Sequence, residues 1–150
     1  MKNMVSVSEK YILYADDDQE DQDLLIEMFN KVDGSLQLVC VENGRKALGF
    51  LHSLKSGEDL PCLIILDINM PLMDGIETLK EIRSHDEYQD IPVCMFSTGK
   101  SASEVAVAKE YGAIDFFKKP IDVQTLKTIT SKFLNYCTST PPKIPKADSN

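Results

Sequence analysis

The chain lacks most of what would commit it to a membrane, to nucleic acid or to a disulfide framework. Its longest apolar run is Cys62 to Leu66, far short of the ~20 residues that cross a bilayer as a helix. Met1 to Ser8 holds no apolar stretch of signal-peptide length, so no leader is expected. Positive charge is scarce: 16 Lys and Arg stand against 24 Asp and Glu, a net charge of −8. Such a surface repels both a phosphate backbone and an anionic lipid face, so neither nucleic acid nor membrane is expected as a partner. Only four cysteines occur (Cys40, Cys62, Cys94 and Cys137), with no CxxC pair and no close histidine. They read as reduced core residues of a cytoplasmic protein.

What is present is the composition of one folded domain. With 150 residues, 43% of them hydrophobic and 27% charged, the chain can bury a proper apolar core. Short β-rich runs alternate with amphipathic stretches. The runs Tyr11 to Ala15, Leu36 to Val41, Cys62 to Leu66, Pro92 to Phe96 and Ala113 to Phe117 read as strands. Leu24, Leu25, Met28, Phe29 and Val32 recur at helical spacing, and a second helix buries Ala47, Leu48 and Leu51 and stops near Gly57. Gly75 to Arg83 is a third. Ser101 and Glu104 match a capping box opening a fourth, and Asp122 caps a fifth that carries Leu126, Ile129, Phe133 and Leu134. Strands alternating with helices imply right-handed crossovers and an α/β fold: a doubly wound, five-stranded parallel sheet with five helices on its two faces, flavodoxin-like in architecture. The domain is expected over residues 10–137, after a short lead over residues 1–9. From Thr138 onward three prolines and little apolar content suggest a flexible tail over residues 138–150, with no effector domain behind it.

In an open parallel sheet, ligands gather outside the carboxyl ends of the strands. Strand one ends in Asp16-Asp17-Asp18, strand three in Asp67, strand four in Ser97-Thr98, and strand five leads into Lys119-Pro120. Asp18 alone is readily explained as a helix cap; the set converging on one rim is not explained by caps. Two carboxylates ~4 Å apart repel by about 4 kcal/mol at an effective dielectric near 20, so Asp16, Asp17 and Asp67 together need a proton or a cation. An all-oxygen site favours a hard divalent ion such as Mg²⁺, completed by a phosphate. An aspartate flanked by that ion and Lys119 is a plausible phosphoryl acceptor, with Ser97 as a hydrogen-bond donor to the transferred group.

These residues, in order, make the chain resemble the receiver domain of two-component response regulators over about Lys10 to Cys137. The fragments are Asp16-Asp17-Asp18 after Ile12-Leu13-Tyr14-Ala15, the loop Leu66-Asp67-Ile68-Asn69-Met70-Pro71-Leu72-Met73-Asp74-Gly75, the strand Ile91 to Ser97, and Gly112-Ala113 to Lys119-Pro120. The resemblance implies that Asp67 takes a phosphoryl group from a sensor histidine kinase or a histidine phosphotransfer protein. It also implies that Asp17 binds Mg²⁺ directly, Asp16 through water and Asn69 through its backbone carbonyl. Lys119 would contact the phosphoryl oxygens, and its bond to Pro120 is usually cis in this family. Ser97 would be the switch hydroxyl and Phe116 the switch aromatic, in place of the commoner Thr and Tyr; a phenylalanine counts against any output that needs a tyrosine hydrogen bond. Output would run through an unknown downstream protein. His52 and His85 read as surface residues, Asp74 as a turn or cap, and Asp18, Glu20, Asp21 and Asp23 as a solvated helix start with a favourable dipole.

Two other enzyme or carrier classes and a degenerate receiver fit the same residues less well. A flavodoxin-type carrier shares the architecture, but its first loop wraps a phosphate with neutral donors, and here that loop is acidic. A haloacid-dehalogenase-type phosphatase also uses an aspartyl nucleophile with Mg²⁺, yet wants a second Asp two residues on, where this chain has Asn69. A degenerate receiver serving only as an interaction module would be expected to lack part of the acid and lysine set.

Overall fold

A computed structural model describes residues 10–55 and 59–139. Five strands, β1 (Tyr11–Ala15), β2 (Gln37–Val41), β3 (Leu63–Leu66), β4 (Val93–Ser97) and β5 (Asp115–Lys118), alternate with α1 (Gln19–Val32), α2 (Gly44–Ser53), α3 (Gly75–Arg83), α4 (Ala102–Glu110) and α5 (Val123–Thr138). One 3₁₀ turn, Asp86–Tyr88, lies between α3 and β4. The sheet is parallel throughout, in the order β2-β1-β3-β4-β5. This is the doubly wound, flavodoxin-like α/β fold expected from the sequence.

Alternation along each strand feeds two cores. Leu13, Ala15, Ile64, Leu66, Val93, Met95 and Phe116 point to one face, where Ala47, Leu51, Leu79, Ile82 and Ala108 of α2, α3 and α4 cover them. Ile12, Tyr14, Leu63, Ile65, Cys94 and Phe96 point to the other, against Leu25, Phe29, Ile129 and Phe133 of α1 and α5. Covering both faces is why β3 reads as an unbroken apolar run. Leu24, placed in the apolar stripe of α1 by its spacing, is instead half exposed.

The caps fall where the polar residues suggest. Asp18 accepts from the N–H groups of Glu20 and Asp21 at the start of α1, and Asp122 from that of Thr125 at the start of α5. Ser101 accepts from the Glu104 N–H. The reciprocal capping box belongs to α3, where Asp74 accepts from the Glu77 N–H at 2.8 Å and Glu77 accepts from the Asp74 N–H at 3.0 Å.

Two expectations are corrected. The cysteines are not all reduced: Cys62, just before β3, is disulfide-bonded to Cys137 in the last turn of α5, with Cα atoms 4.9 Å apart and a sequence separation of 75. Their separation is within the range a disulfide spans, because α5 packs its end over the amino-terminal edge of the sheet; Cys40 and Cys94 are free thiols. The Lys119–Pro120 bond is trans, since no peptide bond among the described residues is cis. Helix α2 ends at Ser53, and Gly57, the tail beyond Ser139 and residues 1–9 lie outside the described residues.

Candidate functional site

The order of strands reverses between β1 and β3, and the site forms at their carboxyl ends. The sheet's own hydrogen bonds continue past the strands and fix the site backbone. The Asp16 N–H donates to Val41 O at 3.0 Å, the Asp67 N–H to Ala15 O at 3.0 Å, and the Lys119 N–H to Ser97 O at 2.7 Å. The ends of β2, β1 and β3 are thereby tied together, and those of β4 and β5 to each other. Gly75 closes the β3–α3 loop beneath them: its N–H donates to Ile68 O at 2.8 Å, and a Cβ there would collide with the Asp67 carbonyl.

Around this frame the side chains converge. Ligand oxygens of Asp16, Asp17 and Asp67 all lie within 4.8 Å of one another. Asp16 and Asp67 are buried, while Asp17 is exposed. The Lys119 ammonium stands 2.6 Å from Asp16 Oδ2 and 3.0 Å from Asp67 Oδ2. Asp67 Oδ1 accepts from the Ile68 N–H at 2.7 Å. Asn69, two residues beyond Asp67, is exposed at the rim. Ser97 is buried, and its Oγ has no hydrogen-bond partner. Phe116 is buried against the α2–α4 face, opposite Met95 in the β4–β5 register.

Burial drives the Asp16 carboxyl above its ordinary proton affinity, against the hydrogen bonds from Lys119, Tyr14 and the Asp18 N–H. Burial also works against the Lys119 charge, but its hydrogen bonds to Asp16 and Asp21 and the Asp67 charge hold the ammonium above the usual lysine range. Lys119 is therefore a permanent cation set among carboxylates.

Two members of the site were not singled out by the sequence. Asp21, grouped with the solvated acids of α1, reaches Lys119 Nζ with its Oδ2 at 2.7 Å. Tyr14, a strand residue, donates from its hydroxyl to Asp16 Oδ2 at 2.5 Å. An acid at the third position of a helix that starts at a strand end faces back toward that rim, and this is the signal that points to Asp21. Tyr14 lies two residues before Asp16 on the same side of β1.

The acids offer only oxygen donors, one of them open to solvent, which suits a hard divalent cation that keeps several waters. Asp16, Asp17 and Asp67 are the side chains that would hold it.

Residues 12–131 match the response regulator receiver domain. The chain belongs to this family. It is 33% identical over 123 residues to sporulation initiation phosphotransferase F of Bacillus subtilis (strain 168), which covers 82% of this chain and 92% of that protein. It spans 56% or less of the length of four other curated relatives. Among solved structures, the phosphorylated cyanobacterial phytochrome response regulator RcpA is similar at 26% identity and a TM-score of 0.79, covering 90% of this chain and 98% of that one. The Mn²⁺-bound form of response regulator Rcp1 is similar at 26% identity and a TM-score of 0.77, covering 89% and 99% respectively. Receiver domains serve phosphorelay signalling, interact with histidine kinases or phosphotransfer proteins and bind Mg²⁺ through acidic residues. Among the described residues, no helix of this one is long and apolar enough to cross a membrane.

Proposed function

We propose that this receiver domain, spanning residues 10–137, accepts a phosphoryl group on Asp67 from a histidine kinase or histidine phosphotransfer protein and passes the signal on by protein–protein contact. One observation carries the reading: a buried carboxylate, Asp67, sits 3.0 Å from a permanent ammonium, Lys119, and the adjacent strand β4 ends in a buried hydroxyl, Ser97, that lacks a hydrogen-bond partner. A lysine charge and an unused donor at one carboxylate are what an incoming phosphoryl group needs.

In the step itself an Asp67 oxygen attacks phosphorus and forms an acyl phosphate. The bond from phosphorus to the donor nitrogen breaks, and its electron pair leaves with the imidazole. A bound Mg²⁺ supplies charge neutralisation to the phosphoryl oxygens. Lys119 offsets the remaining negative charge, and Ser97 donates to a phosphoryl oxygen. Asp17, the exposed carboxylate, would bind the cation directly, and Asn69 would add its backbone carbonyl. Asp16 would act through water, because its Oδ2 already accepts from both Tyr14 and Lys119. Phe116 is the aromatic partner of the Ser97 switch.

The net charge of −8 supports a protein target rather than nucleic acid or a membrane. The domain catalyses only its own phosphorylation and dephosphorylation. A cytoplasmic setting is proposed, where kinases and their nucleotide are found; the disulfide lies at the opposite edge of the sheet, so the site is built without it. Intact-mass analysis after acetyl phosphate and Mg²⁺ tests the reading. One acid-stable, base-labile adduct is expected, absent in Asp67→Ala and in EDTA and slowed in Asp17→Asn. Persistent labelling of Asp67→Ala moves the chemistry elsewhere.

A further inference from the structure

Lys119 has three N–H donors and no more. Its Nζ stands 2.6 Å from Asp16 Oδ2, 2.7 Å from Asp21 Oδ2 and 3.0 Å from Asp67 Oδ2, so each donor has its own carboxylate. The lysine side chain is only 8% exposed, which leaves little water to replace a lost partner. Two of these carboxylates take on other work when the site is used: Asp67 would become the acyl phosphate, and Asp16 would share its charge between Lys119 and a cation's water shell. Asp21 has neither role. Its helix is tied to the strand ends by Gln22, whose Nε2 donates to Asp16 O at 2.7 Å and Val41 O at 3.3 Å.

A lysine head is a point charge on a flexible four-carbon stem, so its donors rather than its stem decide where it rests. The Lys119 backbone is fixed by Ser97, but the ammonium needs a partner whose charge is neither shared with a cation, as at Asp16, nor lost to phosphorylation, as at Asp67. We propose that Asp21 is that partner, a positioning residue for phosphoryl transfer that acts through Lys119. The inference rests on Asp67 being the acceptor. Asp21 keeps the ammonium beside Asp67 while the Asp67 bond is remade. It also ties Lys119 to the first turn of α1.

The test is acetyl phosphate labelling of the full chain with Mg²⁺, followed by intact mass. Asp21→Ala is expected to label on the order of tenfold more slowly, the scale of a misplaced catalytic group. Asp21→Asn keeps an oxygen acceptor for the ammonium and is expected to label nearly as fast as wild type. In a Lys119→Met background, Asp21→Ala should cause no further loss, because the two residues act as one unit. Asp21→Lys sets a like charge against the ammonium and should slow labelling at least as much as Ala, a check that does not depend on the Ala variant folding well. If Asn is as slow as Ala, or the Ala effect persists without Lys119, positioning through Lys119 is overturned. A labelled wild type matched by Asp21→Ala rejects the role of Asp21 alone. A wild type that takes no label rejects the phosphoacceptor reading and this role with it.

Discussion

The hydroxyl of Tyr14 donates a 2.5 Å hydrogen bond to Asp16 Oδ2, and both residues are wholly buried. The two sit at alternate positions along the end of β1, so their side chains leave the same face of the sheet. The Tyr14 ring packs near Phe96, centroids 6.3 Å apart, and its tip meets the acid. Burial raises the Tyr14 proton affinity far above the ordinary tyrosine range, and the Asp16 charge raises it further, so the hydroxyl stays a donor at any working pH. Tyr14→Phe removes one of three donors to a buried carboxylate. It should cost about 1.5–3 kcal/mol, the range for hydrogen bonds to charged groups, read from urea denaturation. An unchanged midpoint and slope would mean that Lys119 and the Asp18 N–H hold Asp16 unaided.

What the sequence made legible, and what it hid, follows from how the signals are spaced. Asp16, Asp67, Ser97 and Lys119 all lie at the ends of strands, and a parallel sheet brings strand ends together without further information. Asp21 and the Cys62–Cys137 pair are read differently because each depends on where a helix end lands. Its neighbours Glu20 and Asp23 make Asp21 read as one of several solvated acids, and its third place in α1, facing the rim, gains meaning only once Lys119 is seen to reach it. Cys137 meets Cys62 because α5 is long enough to run back to the opposite edge of the sheet, a length the apolar spacing of Leu126, Ile129 and Phe133 left open. The proline isomer was inferred by resemblance alone, and no residue pattern in this chain specified it.

Gly75 is the tightest fit below the acceptor. A methyl group there would strike the Asp67 carbonyl and press on Ile68 Cα, so either α3 retreats or the Asp67 loop shifts. Gly75→Ala should cost about 1–3 kcal/mol, as overpacked sites do, and slow labelling of Asp67 as well. Thermal unfolding and acetyl phosphate kinetics on the same preparation check both. A variant with wild-type stability and rate would show that the loop yields freely and that Gly75 does not set the position of Asp67.

Acid should loosen α5 through its cap. Asp122 Oδ2 accepts from the Thr125 N–H at 2.9 Å and from Thr125 Oγ1 at 3.0 Å. These bonds favour the charged carboxylate and hold it below its ordinary value of 3.8. A depressed value in the folded state means stability that is fully present above 3.8 and is lost as pH falls through the lower folded value. Asp122→Ala should therefore lower the melting temperature at neutral pH, and the gap to wild type should shrink once pH drops beneath the carboxylate range. A gap that stays constant with pH would assign the effect to helix propensity rather than to the charged cap.

Ser97 combines a buried hydroxyl without a partner and a backbone carbonyl that holds Lys119 at 2.7 Å. A buried polar group left unsatisfied costs about 1–3 kcal/mol, so Ser97→Ala should leave the unphosphorylated protein at least as stable as wild type, unlike most core polar substitutions. The benefit of the hydroxyl is expected only when a phosphoryl oxygen stands at Asp67 to accept from it. Its bond should then pull the end of β4 toward the rim, and Phe116, already packed against the α2–α4 face, is expected to follow without a hydroxyl of its own to desolvate. Beryllofluoride, a phosphoryl mimic, separates the two states. With Mg²⁺ it should bind both proteins, yet shift the amides of β4, α4 and β5 less in Ser97→Ala than in wild type. Equal shifts in the two proteins, or a Ser97→Ala that unfolds more readily before any phosphoryl group is present, would place the role of Ser97 in packing and not in the switch.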